Sequence, residues 1–96
     1  MRLTSTEVAQ IKRVVLSHDA RATCYLFGSR TNDLLKGGDI DLLLISDSLT
    51  FRDRISILSE LKITIGDQKI DLLIRKSSDA TSDPFVAKIL KTAILL

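Results

Sequence analysis

Asp39-Ile40-Asp41 runs without a break into Leu42-Leu43-Leu44-Ile45. A run so nearly continuous in apolar residues reads as a central strand covered on both faces. A second run, Lys69-Ile70-Asp71-Leu72-Leu73-Ile74, has the same character and again holds an acid among β-formers. A third, Thr23-Cys24-Tyr25-Leu26-Phe27, stops abruptly at Gly28 and reads as a buried strand. Strand side chains alternate between faces, so Asp39 and Asp41 point the same way, roughly 7 Å apart.

Two carboxylates side by side repel each other, by ~1 to 4 kcal/mol when both ionise close together near a surface. Asp71, bracketed by Ile70 and Leu72, is costly in a strand unless it has a partner or a purpose. A divalent cation reverses the sign of the repulsion. Mg2+ takes oxygen ligands, commonly one or two carboxylates with substrate phosphates. The plainer reading of the Asp-x-Asp alone is two solvated aspartates at a strand start.

The strand at Phe27 is followed by Gly28-Ser29-Arg30. Glycine lets the backbone approach a ligand closely, and the serine hydroxyl with nearby N–H groups can bind phosphate oxygens. Ser29 is equally suited to capping a helix, whose N-terminus would favour an anion. Arg30 and Lys36 either reach a phosphate or sit solvated. Leu34 and Leu35 suggest a turn of helix over 31–36, and Gly37-Gly38 breaks it.

Helices are expected around these strands. Thr4-Ser5-Thr6-Glu7 has the form of a capping box, and Val8, Ile11 and Val15 follow at helical spacing, with an end near 17–20. His18 near that end reads as structural. Phe51, Ile55, Leu58, Leu61 and Ile65 predict a second helix over 49–65, with Arg52, Arg54, Glu60 and Lys62 on its wet face. The segment 75–82 reads as a polar connection. Asp83-Pro84 then opens a final helix carrying Phe85, Ile89, Leu90, Ala93 and Ile94.

The chain has 96 residues, 45% apolar and 27% charged, with net charge +2. These values describe one ordinary globular domain over 1–96 and point to no class of partner. No apolar run approaches 18 residues, the length a membrane helix needs. Cys24 is the single cysteine, which excludes an internal disulfide and a thiolate zinc cage. A reducing, cytoplasmic location is the expectation. Tyr25, Phe27, Phe51 and Phe85 all read as inward-facing, so direct nucleic-acid binding is not expected.

Taken together, GSRTNDLLKGGDIDLLL from Gly28 to Leu44 and KIDLLI from Lys69 to Ile74 resemble the signature of minimal nucleotidyltransferases, the antitoxin-type members of the DNA polymerase beta superfamily. That pattern is a Gly-Ser pair, a connecting stretch, an Asp-x-Asp on the next strand and a third Asp on a later one. The likeness spans about Tyr25 to Ile74. The connection is slightly shorter here, and Gly38 stands where relatives often carry serine.

The resemblance implies an α/β (α+β) fold, a small mixed sheet of at least three strands flanked by helices. It implies that Gly28 and Ser29, with Arg30, bind the triphosphate of ATP. Asp39, Asp41 and Asp71 would hold Mg2+, in a two-ion site, and carry the chemistry, with Asp71 helping to accept the incoming hydroxyl's proton. It further implies transfer of AMP to a tyrosine of a small helical HEPN-type RNase toxin, so that the chain acts as an antitoxin and works in a homo- or hetero-oligomer. The apolar terminal segment, 89–96, is the candidate interface. A binding module that neutralises its partner by contact alone is the competing expectation.

Overall fold

The computed structural model describes residues 3–31, 39–66 and 68–96, and for Ser29 and Arg30 the backbone only. The expected turn of helix over 31–36, the Gly37-Gly38 break and Lys36 lie outside the described residues, Thr31 excepted.

Helix α1 spans Ser5–His18. Thr4 and Glu7 form the expected capping box, each side chain accepting from the other's backbone N–H at 3.0 Å. Strand β1, Thr23–Phe27, leads into a single 3-10 turn, Gly28–Thr31, rather than an α-helix. Strand β2 is Ile40–Ile45, helix α2 Phe51–Ile65 and strand β3 Ile70–Arg75. A four-residue helix α3, Asp79–Ser82, occupies part of the expected connection. Helix α4, Pro84–Thr92, is capped by Asp83, whose carboxylate accepts from Phe85 N–H at 2.9 Å.

The sheet has the order β3-β2-β1-β4, with β4 at Ile94–Leu95. β1 is antiparallel to β2 and to β4, and β2 is parallel to β3 across the α2 crossover, so the sheet is mixed, as expected. β4 corrects one expectation. Ala93 and Ile94 are not helical. Ala93 turns extended, and Leu96 N–H donates to the Cys24 carbonyl at 2.9 Å. The open edge of β1 offers unpaired backbone groups, and satisfying them outweighs another half-turn of helix.

One sheet face carries Cys24, Leu26, Ile40, Leu42, Leu44, Ile70 and Leu72. It packs on Ile11, Val14 and Val15 of α1 and Ile57 and Leu61 of α2. The alternate positions, among them Phe27, Asp41, Leu43 and Asp71, face the other way. There α4 covers part of the sheet with buried Val86, and Leu43 is fully buried. β2 is therefore covered on both sides through its middle, Leu42 to Leu44, and opens at Asp41 and at Ile45.

The inward stripe of α2 differs from the expected one. Phe51 and Ile55 are 72% and 50% exposed, and Phe85 on α4 is 51% exposed. Leu58, Leu61 and Ile65 do pack on the core as expected, and the helix adds Ile57 and half-buried Arg54 to that side. Arg54 Nε donates to the Leu72 carbonyl at 2.9 Å. Alternation along β3 aims that carbonyl away from β2, and a long side chain can cover an edge carbonyl that an apolar one would leave unsatisfied. His18, at the end of α1, stands 3.3 Å from Glu60 and 3.6 Å from Asp53, joining α1 to α2. Among the described residues, no helix is long and apolar enough to cross a membrane.

Candidate active site

The candidate acids gather where β1 ends and β2 and β3 begin. Register places Phe27 beside Asp41 and Asp41 beside Asp71, one row across three strands. Apolar neighbours drive both strands into the sheet, and the period of two then delivers both carboxyls to the same open face. Asp41 is half-buried and Asp71 exposed.

Asp41 behaves as a carboxyl forced into company. Its pKa is held above the ordinary value, first by burial, then by the charge of Asp71 and a hydrogen bond with it, then by the charge of Asp39; Lys69 opposes these. Burial and like charge both favour the protonated form.

Asp39 stands slightly apart. Its Oδ2 lies 3.4 Å from Lys69 Nζ, with the aspartate side chain 37% and the lysine 74% exposed. The structure thus brings Asp41 and Asp71 together and pairs Asp39 with a lysine. Among the described residues, no three His, Cys, Asp or Glu side chains are placed to hold one metal ion together. The donor chemistry nevertheless fits a hard cation. Asp41 and Asp71 supply two carboxylates, the number a Mg2+ site commonly takes from protein. Burial and neighbouring charge hold the Asp41 pKa up, and the cluster draws an ammonium to itself. Asp39 can add its oxygens by leaving Lys69, an exposed pairing of little strength.

Gly28 serves the site in a second way, by making room for an acid. Its φ is +76°, a backbone conformation that disfavours side chains. A β-carbon there would collide with Asp41 Oδ2 and lie 3.1 Å from Asp41 Cγ. The space a side chain would fill is thus taken by the protein's own carboxylate. Thr31 Oγ1 donates to the Gly28 carbonyl at 2.7 Å and closes the turn. The side-chain roles expected of Ser29 and Arg30 lie outside the described residues.

Two features escaped the sequence reading. Lys69 was legible only as a strand start, although its place two residues before Asp71 puts it on the acids' side. The hollow beside Gly28, formed with α4, joins residues more than fifty positions apart and leaves no local signal.

Comparison with known proteins identifies the family and the fold. The family model described as "Polymerase beta, Nucleotidyltransferase" matches residues 9–96. No curated protein matches the sequence. A crystal structure from Sulfolobus solfataricus, solved as a candidate nucleotidyltransferase, superimposes with a TM-score of 0.52 at 19% identity, over 94% of this chain and 81% of that one. At that identity the likeness speaks for the fold. The family match covers nearly the whole chain and includes Gly28, Asp39, Asp41 and Asp71. The chain belongs to the polymerase beta nucleotidyltransferase family.

Proposed function

We propose that the chain transfers a nucleoside monophosphate, AMP from ATP, to a hydroxyl acceptor with the help of Mg2+. The supporting observation is the in-register pair Asp41 and Asp71, seated against side-chain-free Gly28 with Asp39 beside it. In the reaction the acceptor oxygen bonds to the α-phosphorus, the bond to the bridging oxygen breaks, and pyrophosphate leaves. Such transfer needs alignment and charge neutralisation more than covalent help. Bound Mg2+ would supply that neutralisation at the attacking and leaving oxygens. Asp39 and Asp41 would hold it. Asp71, the more exposed of the in-register pair, would complete the site and take the acceptor's proton. Gly28 and Ser29 would offer backbone N–H groups to the triphosphate, with Arg30 beside them.

The acceptor in this reading is a tyrosine of a HEPN-type RNase toxin, and the chain is its antitoxin, acting in the cytoplasm. The test is incubation of the chain with such a partner, Mg2+ and ATP labelled at the α-phosphate. Label is expected on the partner with the wild type and not with Asp41→Asn or Asp71→Asn. Undiminished labelling by either variant refutes the assignment.

Contact neutralisation is the second reading. It is favoured by the outward apolar residues of α2, where Phe51 and Ile63 are 72% and 85% exposed. Protection of the partner's target without label, lost in Phe51→Ser, would establish it instead.

A further inference from the structure

We infer that the hollow between the end of β1 and helix α4 seats the base of the nucleotide, and that it grips the base by stacking with little discrimination between purines. The inference rests on the nucleotidyl-transfer reading and adds to it where the base goes and how it is held. The hollow has a volume of about 510 Å³ and is lined by Phe27, Gly28, Phe85, Lys88, Ile89 and Thr92. That volume lies within the usual range for small-ligand sites, roughly 300–1,000 Å³. Two of the chain's four aromatic side chains border it.

Its position singles out one occupant. Gly28 lines the hollow and is also the residue against which Asp41 rests. A ligand with its phosphates at the acids therefore has its next part at Gly28 and its far end among Phe27, Phe85 and Ile89. A nucleoside triphosphate has that order of parts: anion, sugar, flat apolar-faced ring. Phe85 is 51% exposed, so its ring is available for stacking. Lys88 brings a positive charge to the lining, suited to the polyphosphate.

The lining also limits specificity. Among the described residues, the Thr92 hydroxyl and the Lys88 ammonium are the polar side-chain groups of the lining. Discrimination between bases needs hydrogen bonds to base edges, whereas stacking accepts any base, at roughly 1–3 kcal/mol each.

Calorimetric titration of wild type and Phe85→Ala with Mg2+-ATP, and separately with Mg2+-tripolyphosphate, tests the inference. Phe85→Ala is expected to weaken ATP at least tenfold and to leave tripolyphosphate within twofold; an unchanged ATP affinity overturns the base seat. Wild type binding tripolyphosphate as tightly as ATP also overturns it, while leaving the phosphate site standing. Wild type binding neither overturns both readings. Buried Val86 anchors α4, so the truncation spares the fold. Phe85→Trp guards against a folding artefact: the chain contains no tryptophan, and quenching of this single indole by ATP but not by tripolyphosphate is expected. GTP should displace ATP with an affinity within about tenfold; a preference for ATP greater than that rejects stacking as the grip.

Discussion

The carboxylate of Asp41 lies where the β-carbon of any residue but glycine would stand at position 28. Position 28 also has φ +76°, so sterics and backbone conformation demand glycine independently. Gly28→Ala is expected to cost about 1–3 kcal/mol of stability. It also pushes Asp41 out of line with Asp71, and a displacement of that kind lowers transfer on the order of 100-fold. Denaturant melts and the labelling assay read the two effects separately. Full activity in this variant would mean that Asp41 works from another position.

Asp41 should make stability depend on pH in an uncommon direction. Its pKa is raised in the fold, through burial first and the charge of Asp71 second. The folded state therefore holds this proton more tightly than the unfolded state does. The contribution to stability is fully present below the ordinary carboxylate pKa and is lost as pH rises through the raised value. Asp41→Asn removes the loss. Thermal melts in EDTA should show the variant above wild type near neutrality and level with it below pH ~4. An equal increment at every pH would assign the gain to something other than ionisation.

Lys69 competes with any cation for Asp39. Its ammonium is 3.4 Å from the carboxylate and mostly exposed, so the pair contributes ~0–1 kcal/mol. Lys69→Gln should leave the melting temperature almost unmoved while tightening Mg2+ binding several-fold, measured as thermal stabilisation against MgCl2. Weaker Mg2+ binding would show that the lysine helps to build the site.

Cys24 should be chemically silent in the folded protein. Burial pushes its thiol up to about 12, with Lys12 a minor opposing influence, and the residue is 6% exposed. Reaction with a disulfide reagent at pH 8 should run about 10³-fold slower than with free cysteine, because the thiolate is that scarce. Truncation before Ile94 removes β4, and with it the backbone partner of the Cys24 carbonyl, and should restore much of the rate.

The sequence made the strands, the capping box of α1 and the shared face of the acids readable, because each depends on local period and composition. The Gly-Ser to Asp-x-Asp pattern carried the family. Readings failed where a distant group decided the outcome. Ile94 and Leu95 continue an apolar helical spacing, and only the unpaired edge of β1 draws them into a strand. Phe51 and Ile55 fit the apolar repeat of α2, yet Ile57 and Leu61 take the inward face against the sheet and leave them outward. Asp39 shares a face with Asp41, but its pairing with Lys69 depends on β3 lying alongside β2. None of these choices is written within a few residues of where it is made.

Asp41 belongs to an inner strand and Asp71 to the outermost one, β3, which has a strand neighbour on one side only. Opening of that border strand would separate the acid pair, since only Asp41 would stay with the inner strand. A local opening there is enough to end the centre's competence, short of global unfolding. The like charge of Asp71 beside Asp41 favours the opening, and whatever neutralises the pair zips the border shut. Amide exchange along 70–75 therefore measures readiness for catalysis before any substrate is added.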